Sequence, residues 1–508
     1  MNEAQSHAAR VLAKNTLFNL VTQVGLVIIS FLAFPILVNH LTTEGFGLLS
    51  LVWVLVGYFS LLDFGVSRAI TKFVAEFLAR KDDGRIRDIT WTSLSIGLAL
   101  GCTLGLALLL GRGLLLTGVF HASGILREEA SISVTAAAVG IPFMLAQGIL
   151  RGVQTAYQRF DLVNGFQAAT GLFQWVGSVV IVLAGGGVKE VVLLTVMTRV
   201  VVFAASLAIL PLMIPGVFRS VRLWDLTLAK TLLSFGGWVS LSQFTGPLFI
   251  YVDRLMIASF MALSAVAYYT VPQEAVNRML ILPLSMTTAL YPVMSAWSSD
   301  LRESRAAKGM YRRSVKYVSV VMFPLAALCF LFAKEILRLW MGPEFAAQGA
   351  LPLQIFLVGL MFNAIAQIPV TLLHAYGRPD LPAKFNLIEL PVMIGLNVVL
   401  IPAFGIAGAA SAWAVRVILD CVLLFRAGSA YAGGIGLRPS LPRRWTSGLL
   451  LAAGASAFVA FMVLVDNELL RIAWAAVFTC VYASGVWLFG FDDADRGFVL
   501  QMKMKLLG

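Results

Sequence analysis

The chain has 508 residues, of which 59% are hydrophobic and only 13% charged, with a mean hydropathy of +0.88. That is more apolar surface than a water-soluble fold of this length can bury, so lipid must act as solvent. The net charge of +12 needs no nucleic acid to explain it, because basic loops lie against anionic headgroups.

The N-terminal stretch up to Lys14 is polar and lacks the apolar core and small-residue cleavage site of a signal peptide, so the apolar block beginning at Asn15 reads as a retained helix. A bilayer-spanning helix needs roughly 20 residues. Blocks of that kind predict about fourteen helices, over 15–39, 47–70, 90–111, 131–152, 162–184, 189–213, 232–258, 264–296, 316–333, 348–373, 382–402, 406–426, 446–466 and 471–491. Spanning β-strands would show ~10-residue alternation of polar and apolar residues instead of continuous runs. The fold class is therefore all-α integral membrane.

An even number of spans puts both termini on one side. With that side inside, the inner connections hold 27 Lys and Arg and the outer ones 6, and the excess of positive charge marks the cytoplasmic face. The densest inner loop carries Arg302, Arg305, Lys308, Arg312, Arg313 and Lys316, read as a solvated topology determinant. Cys102, Cys329, Cys421 and Cys480 all lie in apolar blocks without metal or redox spacing and read as packing residues.

The two halves look alike. Ala156-Tyr157-Gln158-Arg159-Phe160-Asp161-Leu162 is echoed by Ala375-Tyr376-Gly377-Arg378-Pro379-Asp380-Leu381, and Leu12-Ala13-Lys14 is echoed at almost the same separation by Leu228-Ala229-Lys230. Such internal repeats are a common plan among transporters. They predict an N-terminal six-helix lobe over 1–215, a second over 216–430, and two additional helices with a cytoplasmic tail over 431–508.

Leu61-Leu62-Asp63-Phe64-Gly65-Val66-Ser67-Arg68, then Phe73-Val74-Ala75-Glu76, and later Val252-Asp253-Arg254-Leu255 with Ala267-Tyr268-Tyr269, resemble the corresponding stretches of polysaccharide-exporting flippases. That family shares a superfamily with multidrug and toxin exporters and the lipid II flippase. The resemblance implies two six-helix lobes around a central cavity that opens alternately to either side of the cytoplasmic membrane. It implies as cargo a polyprenyl-pyrophosphate-linked oligosaccharide for O-antigen, capsule or exopolysaccharide synthesis. Without a Walker-type loop, transport is expected to be coupled to H+ or Na+ or driven by the cargo itself, and the polymerase and export proteins of the same pathway are candidate partners. A drug or cation antiporter and a lipid II flippase are the alternatives within the superfamily.

An ionisable residue within the bilayer costs at least about 2.5–3.5 kcal/mol, so those present face a cavity or a partner. Five arginines remain after loop charges are removed: Arg68, Arg199, Arg254, Arg278 and Arg416. Arginine holds phosphate oxygens bidentately, as a pyrophosphate cargo requires. Arg199 has no carboxylate within a turn on its own helix, whereas Glu274 with Arg278, and Arg416 with Asp420, are four apart and able to neutralise each other. Arg68 near a helix end can snorkel to headgroups. Asp63, Asp253, Glu274, Glu389 and Asp420 are the candidates for coupling an ion.

Pro35, Pro142, Pro247, Pro272, Pro283, Pro369 and Pro391 interrupt apolar blocks and are expected kinks. A membrane glycosyltransferase or polymerase would need catalytic groups on a sizeable loop, and the longest outer connection, 112–130, offers only His121, Glu128 and Glu129. No Walker-type loop and no clustering of His7, His40, His121 and His374 points to ATP or a metal. No cofactor is expected.

Overall fold

The computed structural model describes residues 3–61, 65–121, 124–219, 224–296, 305–431 and 468–487. Among them there is helix and no strand. The helices are α1 (Glu3–Leu61), α2 (Val66–Ala79), α3 (Asp83–Gly118), α4 (Gly124–Ala156), α5 (Phe160–Leu172), a π-helical turn (Phe173–Gly177), α6 (Ser178–Leu183), α7 (Val188–Met213), α8 (Leu226–Phe260), α9 (Leu263–Met279), α10 (Ile281–Ala296), α11 (Arg305–Leu331), α12 (Ala333–Met341), α13 (Pro343–Ala375), α14 (Asp380–Tyr431) and α15 (Glu468–Gly485). Eight described stretches are long and apolar enough to cross a bilayer, and α5, the π turn and α6 form one of them. The described part of every predicted span is mainly helix; 446–466 lies outside the described residues, as do 62–64 and 488–491.

Helix dominates because a bilayer offers no water to a free N–H or C=O, so backbone groups must be satisfied within the segment. The chain turns where a left-handed residue breaks the ladder. Thr42 (φ 65°) divides α1 and Gly405 (φ 59°) divides α14 into two legs. Gly65 (φ 69°), Gln158 (φ 56°), Gly185 (φ 85°) and Gly377 (φ 68°) separate other helices. Prolines sit elsewhere: Pro35, Pro142, Pro272, Pro369 and Pro391 all lie inside continuous helices. One boundary differs from the sequence reading. The predicted helix over 47–70 stops at Leu61, and the chain restarts as the amphipathic α2 after Gly65. Apolar composition ran straight through this break and hid it.

The chain divides into two compact units, 1–271 and 272–508. In the first, α4 packs along α3, α7 and α2. Gly97, Gly101 and Gly105 form a stripe on α3 where backbones meet: a Cβ on Gly101 would overlap the Pro142 backbone, and one on Gly105 the Ala138 carbonyl. Small residues at four-residue spacing permit this approach in lipid. Gly148 and Gly152 on α4 receive α2, whose Thr71 hydroxyl lies 3.1 Å from the Gly152 carbonyl. In the second unit α13 packs along α14, α12, α11 and α10. Phe356 of α13 meets Trp413 of α14 edge to face at 5.3 Å.

The register that carries Tyr157 onto Tyr376 also governs helix limits. It carries Gly124–Ala156 onto Pro343–Ala375 at both ends, and the break at Gln158 onto the break at Gly377. Each of those two turns has the same bonds. The N–H of Arg159 donates to the Gln154 carbonyl at 2.9 Å, and that of Arg378 to Leu373 at 2.9 Å. The Arg159 guanidinium then clamps Asp161 (3.0 and 2.8 Å), and that of Arg378 clamps Asp380 (2.8 and 3.2 Å). Burial and nearby Asp83 hold the Tyr157 phenol up at about 12, so it stays neutral beside the first turn.

Two substitutions follow from this geometry. Gly377→Gln places a side chain at a left-handed position and should cost about 1 kcal/mol, while Gln158→Gly should stabilise by a similar amount. Thermal unfolding of the purified protein in detergent reads both; equal melting temperatures for the pair would refute the assignment of these turns. Gly101→Val should destabilise by about 1–3 kcal/mol or more through overpacking against Pro142, read in the same assay.

Candidate functional site

In the first unit, α7 turns Leu193, Met197 and Val201 outward and buries Val192, Thr195, Val202 and Ser206. Arg199 belongs to the inward side. Four residues further along, Phe203 packs edge to face on Phe143 of α4 at 5.7 Å, so this side of α7 is held against α4. Among the described residues the buried Nε of Arg199 has no hydrogen-bond partner and its guanidinium no ion pair. The charge that acts on it is a like charge, Arg151 of α4. The same helix carries Gln147 and Gln154, whose buried Oε1 atoms also lack a partner among the described residues. The Arg199 guanidinium is thus a donor without an acceptor, which an anion with oxygens would satisfy, whereas the two glutamine oxygens are acceptors that call for a donor.

The other charges of this unit are differently placed. Asp253 on α8 is fully buried and accepts a 2.7 Å hydrogen bond from the Tyr269 hydroxyl of α9. Arg254, next to it, is 5% exposed. Tyr269 was not singled out by its chemistry in the sequence, although its neighbourhood was; a fully buried tyrosine near a buried carboxylate is the signal that connects them. Arg68 is exposed in the first turn of α2, as a residue that snorkels would be. Asp63 lies outside the described residues.

In the second unit, Arg278 and Glu274 meet at 3.7 Å one turn apart on α9. The remaining residues assemble across the two legs of α14. Arg416 reaches Glu389 of the other leg at 3.2 Å, with the Glu389 side chain wholly buried. Asp420 lies one turn beyond Arg416 on the same leg. Sequence spacing paired Arg416 with Asp420 on one helix face; the fold at Gly405 brings in Glu389 as well, from 27 residues away. The other Glu389 oxygen, Oε1, is buried without a hydrogen-bond partner. No group of three or more His, Cys, Asp or Glu able to hold a metal ion occurs among the described residues.

Tyr269→Phe keeps the ring and removes the donor to Asp253. It should cost about 1–3 kcal/mol, because a buried carboxylate then loses a hydrogen bond. An unchanged melting temperature would mean that Asp253 is satisfied without the tyrosine.

Comparison with known proteins gives a consistent picture. A model of the MatE family matches residues 239–399. A candidate O-antigen transporter of Shigella flexneri is 25% identical over 416 residues, covering 81% of this chain and 96% of that protein. A candidate low-salt glycan biosynthesis flippase of Haloferax volcanii is 26% identical over 38% of this chain and 41% of its own. Among solved structures, the lipid II flippase MurJ in an inward closed conformation superposes with a TM-score of 0.69 at 13% identity, covering 92% of this chain and 98% of that one. An inward-facing multidrug resistance transporter of the MATE family gives 0.68 at 16% identity, over 80% and 94%. These two show the fold, that of multi-span helical transporters. The model of the polysaccharide biosynthesis protein family matches residues 12–298, more than half of the chain, and the chain belongs to that family.

Proposed function

We propose that this protein is a flippase that carries a polyprenyl-pyrophosphate-linked oligosaccharide across the cytoplasmic membrane by alternating access, and that it is not an enzyme. The observation that carries the reading is Arg199: a half-buried arginine inside a membrane-spanning helix, whose Nε is buried without a hydrogen-bond partner and which has no carboxylate partner among the described residues. A permanent charge held this way is costly unless an anion relieves it. A pyrophosphate group supplies the oxygens and the charge. Arg278 and Arg416 are already engaged by carboxylates, which ranks them below Arg199 as cargo contacts.

The relatives support the cargo class. The Shigella protein is named for O-antigen transport and one Haloferax protein for glycan biosynthesis. The Lys and Arg distribution, 27 inner against 6 outer, supports cytoplasmic placement of both termini. The helix limits that recur between α4 and α13 support two six-helix repeats, over 1–215 and 216–430, as the moving parts, followed by additional helices over 431–508.

The test is translocation of such a lipid-linked oligosaccharide in proteoliposomes, with wild type and Arg199→Ala at matched insertion. A charge-assisted contact is worth about 1.5–3 kcal/mol, so loss of the guanidinium should slow transport roughly 10- to 100-fold. Equal transport by both proteins removes Arg199 as a cargo contact. Absence of transport by the wild type across a range of glycans, with efflux of organic cations instead, would replace this reading by a drug antiporter.

A further inference from the structure

The span made by α5, the π turn and α6 has two opposite faces. Leu172, Val176, Val180 and Leu183 recur every three or four residues and are all exposed, as a line facing lipid is. On the other side, at the same spacing, lie Gln167, Thr170, Gln174 and Ser178. From Leu162 to Val188 no residue is ionisable, so this second line is polar without charge. Its exposure is graded: Gln167 is exposed, Thr170 and Gln174 are half-buried and Ser178 is fully buried. Amides facing hydrocarbon are costly, so the line borders a polar space that is open towards the Phe160 end of the span and closes at Ser178.

The neighbouring helices supply the other walls. Gly177 meets α7 at Leu194, where an added Cβ would approach Leu194 Cδ2 to 2.6 Å, and the short connection between the two spans makes them antiparallel. Arg199 follows Leu194 by five residues and Leu172 precedes Gly177 by five, so Arg199 lies level with the turn from Thr170 to Gln174, at about 1.5 Å per residue. On α4, Gly140 meets Val196 of α7, and Gln147 and Gln154 follow it at seven-residue spacing on the same side. Gln154 is 2% exposed, and the buried Oε1 atoms of both glutamines have no hydrogen-bond partner among the described residues. At the closed end Trp175, inside the π turn, meets Trp53 of α1 at 5.2 Å, and the buried indole Nε1 of Trp53 also has no partner among the described residues. Turns of this kind often mark functional positions.

These walls therefore hold acceptors that call for a donor, an indole donor that calls for an acceptor, and amides able to do both. An organic cation finds no carboxylate on this face of α5, and a phosphate gains more from Arg199 than from neutral amides. A hydroxyl donates and accepts at once, and a sugar ring carries several hydroxyls around an apolar face that an indole can cover.

We propose that the polar line of α5, with Gln147 and Gln154 of α4, receives the sugar hydroxyls of the cargo beside the pyrophosphate at Arg199, so that these amides decide which glycan is accepted. The proposal rests on the flippase reading and adds to it the place where the sugar is read.

The test is equilibrium binding to the full chain in nanodiscs. The probes are radiolabelled polyprenyl pyrophosphate, bare and carrying in turn a neutral hexose or an N-acetylhexosamine. The wild type should bind at least one sugar-bearing lipid about 10-fold more tightly than the bare one. Gln167→Met with Gln174→Met, which keeps side-chain length, should remove that preference and leave the affinity for bare lipid unchanged, whereas Arg199→Ala should weaken both alike. Gln147→Met should also lower the preference, and without lipid it should raise the melting temperature, because it deletes a buried acceptor that lacks a donor. A lower melting temperature would show a structural partner for Gln147 and remove it from the site. Equal binding of bare and sugar-bearing lipids by the wild type overturns the glycan wall and leaves the flippase reading standing, as does a preference that survives in the double variant. No binding of any of these lipids, the bare one included, overturns the flippase reading and this proposal with it.

Discussion

A bilayer contains no water for a free peptide group, and the architecture of this chain follows from that one constraint. Each span closes its own hydrogen bonds, so the freedom left to the fold lies at the breaks between spans. Many of the described breaks are made by residues in the left-handed region, such as Gly65, Gln158, Gly185 and Gly377. At Gln158 and Gly377 the N–H groups after the helix end return to carbonyls of its last turn, the Schellman solution. An arginine–aspartate clamp then starts the next helix. These clamps are exposed and are worth little as ion pairs; their contribution is to fix the direction in which the next helix leaves.

Lipid also removes the hydrophobic force between helices, so packing depends on how closely backbones approach. The glycines of α3 against α4, and Gly408 against the Leu400 carbonyl at the fold of α14, serve this purpose. The latter contact sets the legs of α14 close enough for Arg416 to reach Glu389. Close backbone approach therefore precedes the ion pair: without the fold at Gly405, Arg416 and Glu389 would each need a partner on its own helix face.

Most of the fold was legible in the sequence because apolar runs of about 20 residues admit one structure in lipid. The division of α14 near Gly405 was readable from Gly and Pro at 402–405. The break at Gly65 was not, because its flanks, Leu61 and Val66, are as apolar as the helices they end. The site was partly legible. The absence of any carboxylate within a turn of Arg199 is a fact of spacing, and it agrees with an Nε that has no hydrogen-bond partner among the described residues. The engagement of Glu389 with Arg416 could not be read, since spacing along one helix reports neighbours at three and four residues and says nothing of the register between two legs. The prolines lie inside helices, where neighbouring groups can satisfy the backbone they free, and the turns are made elsewhere.

The repeat makes a final distinction between scaffold and chemistry. The register between the halves carries the limits of α4 onto those of α13 and Gln158 onto Gly377, but it carries no intramembrane charge onto a like one. Arg199 falls on Ile418, Glu389 on Thr170, Arg416 on Met197 and Asp420 on Val201. The turn at Gln158 and Gly377 recurs in both halves, whereas Gly97, Gly101 and Gly105 fall on Lys316, Val320 and Pro324 and each intramembrane charge stands in one half alone. Recurrence therefore marks the helix limits and the turn between them, and neither the packing glycines nor the intramembrane charges follow it, so close approach and charge placement were worked out separately in each half.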